Sequence, residues 1–251
     1  MKKFQTSLKA DRSGQLLIVA ALAIALLISS TMVYVYEISE ERGVSDVKSI
    51  GDLVLALKQS TRNTMISSLA NVSNGGQKAV LATNLNELSS GIMNTHGFGV
   101  CTLLFATFND SSYDQGLWLS WNMTNVGVSS ASANFTLNVD GTAAKIVADY
   151  KINVTTTLVV NGSYVAEGTE KLVNLTCNIY DEHQPALAES KDVFYESSEN
   201  WVEVDQSSLT TIDFGNGTYF LSFAVPSDTL QISIHVIDLR GILVQAVYNI
   251  P

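Results

Sequence analysis

The chain has 251 residues, 46% of them hydrophobic and 15% charged, and a net charge of −10. That length leaves room for one membrane element and one or two modest domains. Residues 1–14 carry Lys2, Lys3, Lys9 and Arg12 against Asp11, residues 15–36 carry no charge, and the remainder holds 10 basic and 23 acidic residues. So acidic a body repels phosphate and excludes nucleic acid as a partner.

Leu16–Tyr36 is an uncharged, largely apolar run. At about 1.5 Å per helical residue it spans roughly 30 Å, the thickness of a bilayer core. A cleaved secretory segment is shorter, roughly 7–15 apolar residues, and ends at a small-residue site. The Ala-x-Ala spacings at Ala21/Ala23 and Ala23/Ala25 lie inside the run, with more apolar residues beyond them. Length and context therefore predict a retained transmembrane helix over 15–36. The basic flank before it and Glu37, Glu40 and Glu41 after it predict a single pass, with the N-terminus cytoplasmic and the rest of the chain extracellular.

Beyond Glu37 a helical stripe runs through Val47, Ile50, Val54, Leu57, Thr61, Met65 and Leu69. "NVSNGG" (Asn71–Gly76) breaks it. A second short helix follows, with Leu81, Leu85, Leu88 and Ile92 on one face, and "NTHGFG" (Asn94–Gly99) ends it. Together these predict a helical stalk over 37–97.

From about Phe98 the period becomes two. "ANFTLNVD" sets Ala133, Phe135, Leu137 and Val139 against Asn134, Thr136, Asn138 and Asp140. "KINVTTTLVV" turns Ile152, Val154, Thr156, Leu158 and Val160 inward, and "KLVNLTCNIY" groups Val173, Leu175, Cys177 and Ile179. "GLWLSWNMT" alternates less cleanly, since Trp118 shares a face with Asn122. Asn161-Gly162 and Asn216-Gly217 predict tight hairpin turns. Tyr219 opens a strand just after such a turn. The predicted fold class is α+β: the N-terminal helix and the short second helix, then one or two antiparallel β-sandwich modules, divided as 98–166 and 167–251.

Two regions resemble known families. "RSGQLLIVAALAIALL" resembles the class III signal of archaeal type IV pilin-like surface proteins. The resemblance implies prepilin-peptidase cleavage between Gly14 and Gln15, with removal of residues 1–14 and other pilin-like subunits or cell-surface proteins as partners. Leu17 and Val19 stand where that family's Gln-x-Ser-x-Glu start has Ser and Glu. Residues 167–251, with "GNGTYFLSF", resemble Ig-like surface domains.

Asn-x-Ser/Thr sequons occur at Asn71, Asn109, Asn122, Asn134, Asn153, Asn161, Asn174 and Asn216, all beyond the membrane run. In an exported chain they are glycan acceptors. Cys101 and Cys177 can pair outside the cytoplasm, tying one module to the other, or pack as two buried thiols. "DSSYDQG" (Asp110–Gly116) opens like a calcium loop but has Trp121 where the twelfth-position acid belongs, so it reads as a polar hairpin loop. Asp181, Glu182, Glu189, Asp192, Glu196, Glu199, Glu203 and Asp205 crowd one segment with Lys191 as its only base. That is a solvated acidic edge or, less simply, a cation site. His96, His183 and His235 have no metal-ligand spacing, and there is no nucleophile elbow, His-Glu-x-x-His or phosphate loop. Nothing implies a cofactor, and the reading is not an enzyme. It is a membrane-anchored surface glycoprotein with a structural or adhesive role. The alternatives are a pilin-like filament subunit and an exported ligand-binding or sensory ectodomain.

Overall fold

A computed structural model describes residues 51–93, 100–140, 145–198 and 200–250. The cleavage site at Gly14 and Gln15, the run Leu16–Tyr36, His96 and Glu199 lie outside the described residues. Among the described residues no helix is long and apolar enough to cross a membrane.

From Leu53 onward the chain forms one compact unit. Two helices, α1 (51–73) and α2 (Val80–Met93), precede the strands. The larger sheet contains β1 (Val100–Thr107), β2 (Leu117–Met123), β3 (Val126–Asp140), β4 (Lys145–Glu167), β5 (Glu170–Asp181), β6 (Gln184–Pro185), β9 (Thr210–Asp213) and β10 (Thr218–Pro226). Its order is β1-β3-β4-β5-β10-β9, with β2 on β3 and β6 on β5. The smaller sheet contains β7 (Ala188–Ser197), β8 (Asn200–Glu203), β11 (Gln231–Asp238) and β12 (Leu243–Asn249), in the order β12-β11-β7-β8. Every pairing within the sheets is antiparallel. The fold is α+β, with a β-sandwich as its main part.

The period-two faces are the buried ones. Ala133, Phe135, Leu137 and Val139 are at most 2% exposed, as are Val154, Leu158 and Val160, and Val173, Leu175, Cys177 and Ile179. The sandwich core joins Leu158, Val160 and the β5 and β10 residues to Val193, Ile232, Ile234, Val236, Val244 and Ala246 of the smaller sheet. Tyr219 lies fully buried within it. Its hydroxyl accepts from Ala188 N at 2.8 Å, and Lys191 Nζ sits 4.2 Å from its ring centre.

The described helical residues belong to this body and do not stand off it as a stalk; 37–50 and 94–97 of the expected stalk lie outside the described residues. Thr61, Met65, Leu69, Leu81 and Leu85 of the expected stripes are fully buried. The helix α2 lies on β1, where Ser89 Oγ donates to Leu103 O at 2.6 Å. On α1, Thr61 meets Tyr150 OH at 3.3 Å, and Lys58 Nζ lies 4.9 Å from the Tyr150 ring centre. A short amphipathic helix has little stability alone and gains it by burying its stripe on a sheet.

Nor do the β-modules divide at 166/167. The long strand β4 pairs with β3 over Lys145–Val159 and with β5 over Thr156–Glu167. Only Thr156–Val159 have neighbours on both sides, so the passage from helix-covered sheet to sandwich runs through the middle of one strand. The turn expected at Asn161-Gly162 is absent, because both residues pair within β4, opposite Thr176 and Leu175. A side chain at Gly162 would run into Leu175 and the Asn174 carbonyl, so the glycine serves close strand approach and not reversal. The reversal falls instead at Gly168, φ +64°. Asn216-Gly217 does turn the chain between β9 and β10, with Gly217 at φ +81°.

The two cysteines do not pair. Cys101 is opposite Val139, which is opposite Ile146, whereas Cys177 is opposite Val160, fourteen residues further along β4. At roughly 3.3 Å per residue that is about 40 Å or more, against the ~6 Å between Cα atoms that a disulfide needs. Both thiols are free and buried, and burial pushes Cys177 up to about 12 and Cys101 upward as well. They pack as small apolar side chains.

Candidate functional site

A break in strand alternation builds a cleft on the smaller sheet. In the β2–β3 ladder Ser120 pairs with Val128 and Met123 with Val126, so Trp121 and Asn122 together face the single residue Gly127. Such a bulge bends the strand and re-aims its side chains. Gly127 lets the hairpin close on β12, since any side chain there would strike the Gln245 carbonyl. Asn125, at φ +66°, turns the hairpin tip and donates its N–H to Val247 O at 2.8 Å, beside a Thr124–Val247 bridge.

The seated hairpin and the outer face of the smaller sheet enclose a cleft of about 280 Å³, lined by Trp121, Asn122, Phe194, Trp201, Ser233, His235, Gln245 and Val247. Trp121 Nε1 donates to Ser129 Oγ at 3.0 Å, and Ser129 Oγ donates to Leu243 O at 2.6 Å, which fixes the indole. The Phe194 and His235 rings lie 4.5 Å apart, and His235 Nε2 is 3.0 Å from Ser233 Oγ. Burial pushes the His235 imidazole below its usual range, with Asp192 opposing, so the ring is neutral at pH 7. Trp201 is 49% exposed at the mouth. The ladder sets Glu203 opposite Phe194, Asp192 opposite His235 and Glu196 opposite Trp201, which gives the cleft an acidic surround.

A second constellation is electrostatic. Arg240, in the turn between β11 and β12, is 15% exposed and meets Asp181 Oδ1 at 2.7 Å, Glu182 Oε1 at 2.8 Å and Asp238 Oδ2 at 3.0 Å. The Asp181 contact lacks the alignment of a hydrogen bond. Asp238, fully buried, also accepts from Arg240 N, Ile242 N and Thr156 Oγ1. Glu182 accepts from Arg62 Nη2 of α1 at 3.1 Å and from Thr155 N at 3.1 Å. Helix, long strand and both sheets thus meet at one arginine. Glu182 and His183 form the β5–β6 turn with φ +45° and +68°, a strained geometry for side-chain-bearing residues, on the order of 1–2 kcal/mol each. The bonds to Glu182 hold the turn in place. Apart from Asp181 Oδ1, which has the Arg240 ion pair and no hydrogen bond, the groups named here serve other protein groups, so the cluster is a keystone of the fold.

Burial, and then the neighbouring Asp238, push the Asp181 carboxyl up to about 7, with Arg240 opposing. The unfolded value is about 3.9. The folded chain therefore holds this proton more tightly, and unfolding between about pH 4 and 7 releases it. Stability from Asp181 is complete below that window and is lost as pH rises through it. Asp181→Asn is expected to be relatively more stable than the wild type at pH 8 than at pH 5, by urea midpoints at the two pH values. A difference that does not grow with pH would contradict this assignment.

The sequon asparagines Asn71, Asn109, Asn122, Asn134, Asn153, Asn161 and Asn216 are exposed, and Asn174 is half-buried. Of the acidic crowd, Asp181 and Glu182 turn toward Arg240, while Asp192, Glu196 and Glu203 surround the cleft. Among the described residues no three His, Cys, Asp or Glu side chains are placed to hold a metal ion. In the loop Asp110–Gly116, Asp110 Oδ1 accepts from Ser112 N and Tyr113 N, and Asp114 pairs with Lys78 at 2.7 Å. His235 reaches the cleft and His183 sits in the strained turn. The sequence reading missed both constellations. The traces available were the faulty alternation of "GLWLSWNMT" and a lone arginine, Arg240, far beyond Arg62 in an acidic chain. No protein family, curated protein or solved structure compared with the chain matches it.

Proposed function

We propose that the chain is a membrane-anchored surface glycoprotein, held by Leu16–Tyr36, with its β-rich body outside the cell in a structural or adhesive role. The observation that carries this reading is the placement of the sequons. Seven of the eight asparagines are exposed, so glycans there displace no core. The apolar run with its basic leader and acidic follower supplies the orientation, and the sandwich is read as an Ig-like module.

The second reading, a pilin-like filament subunit, is favoured by Ser13-Gly14-Gln15 immediately before the run. One measurement separates the routes: mass spectrometry of the mature N-terminus. A start at Gln15 supports prepilin-type processing with the helix retained. A start at Met1 or Lys2 indicates a simple signal anchor. A start beyond Ala25 would show that the run is removed and that no anchor remains.

A further inference from the structure

The cleft beneath the β2–β3 hairpin contains an attachment point as well as a binding surface. Asn122, a sequon asparagine, is part of its wall. We propose that the cleft seats the first rings of a neutral glycan carried on Asn122. This rests on the surface-glycoprotein reading and gives one of its sequons a structural task.

Three features lead to this occupant. Trp121, Phe194 and Trp201 line it with aromatic side chains, and a pyranose ring has an apolar C–H face that packs against aromatic rings. Gln245, Ser233 and the neutral His235 add uncharged donors and acceptors that match hydroxyl and acetamido groups. No lysine or arginine lines the cleft, and Asp192, Glu196 and Glu203 surround it, which disfavours an acidic sugar. A sugar tethered at Asn122 is already at high effective concentration, so a small open cleft suffices without strong intrinsic affinity. The bulge at Trp121–Asn122 accounts for the juxtaposition: in regular alternation the two would face opposite ways.

The test uses the full chain purified from its native host, as wild type, Asn122→Gln, Trp201→Ala and the double variant, with glycopeptide mass spectrometry and thermal melting. Asn122 is expected to carry a glycan whose first sugars are neutral. Asn122→Gln should lower Tm by about 2–4 °C in the wild-type background and leave it unchanged in Trp201→Ala. Thr124→Ala, which destroys the acceptor sequence and keeps the asparagine, should reproduce the Asn122→Gln shift. Equal shifts in both backgrounds would overturn the proposal by placing the glycan in solvent. So would quenching of tryptophan fluorescence in Asn122→Gln by free glucose without any such coupling, which would assign the cleft to a foreign sugar. Glycans at other sequons with Asn122 bare would end this proposal and leave the surface reading standing. Eight bare sequons would remove both.

Discussion

Arg240→Ala is expected to destabilise the fold by about 3–5 kcal/mol, the range for breaking a buried ion pair from one side. The guanidinium meets Asp181, Glu182 and Asp238, and also donates to Thr155 O at 3.2 Å and Thr156 Oγ1 at 2.9 Å. Its removal leaves Asp238, fully buried, and Asp181, largely shielded, without a compensating cation, and leaves Glu182 with Arg62 alone. Arg240→Lys should recover little, because a single ammonium cannot present the forked donors that reach three carboxyls and two threonine oxygens. Urea unfolding at pH 7 measures both variants. A loss below about 1 kcal/mol for the alanine variant would mean that the cluster behaves as a surface ion pair and that the keystone role is wrong.

Tyr219→Ala is expected to cost a further class of energy, about 3–5 kcal/mol, through a cavity in the sandwich core. Tyr219 is 0% exposed and packs among β5, β10 and the smaller sheet. Tyr219→Phe keeps the ring but leaves the Ala188 N–H without its acceptor, a loss of about 1–3 kcal/mol. The comparison separates packing from hydrogen bonding. Thermal melts giving equal losses for the two variants would place the whole effect on the hydroxyl and contradict the core assignment.

The local patterns of the sequence determined a good deal. The inward sets of β3, β4 and β5 were legible because successive side chains on a strand face opposite ways, so burial on one side writes a period of two. The stripes of the two helices were legible at a period of 3.6 for the same reason, and Asn71–Gly76 marked their separation. Asn216-Gly217 turned where its φ freedom suggested. What lay beyond reach was every statement about which segments meet. Asn161-Gly162 carries a turn signature yet stays extended, because pairing with Thr176 and Leu175 outweighs a two-residue preference. The helices looked like a stalk because nothing local says which surface an apolar stripe will cover. Cys101 and Cys177 stayed open between pairing and separate burial because register alone sets their separation. The cleft depends on a bulge, on Gly127 admitting the Gln245 carbonyl, and on strands far apart in the chain. The Arg240 cluster gathers Arg62, Asp181, Glu182 and Asp238 from a helix, two strand ends and a turn that share no local pattern. Each residue's alternation is a property of its own strand, whereas register, strand partners and ion-pair geometry are settled by which distant faces bury one another, and only the tertiary structure decides that.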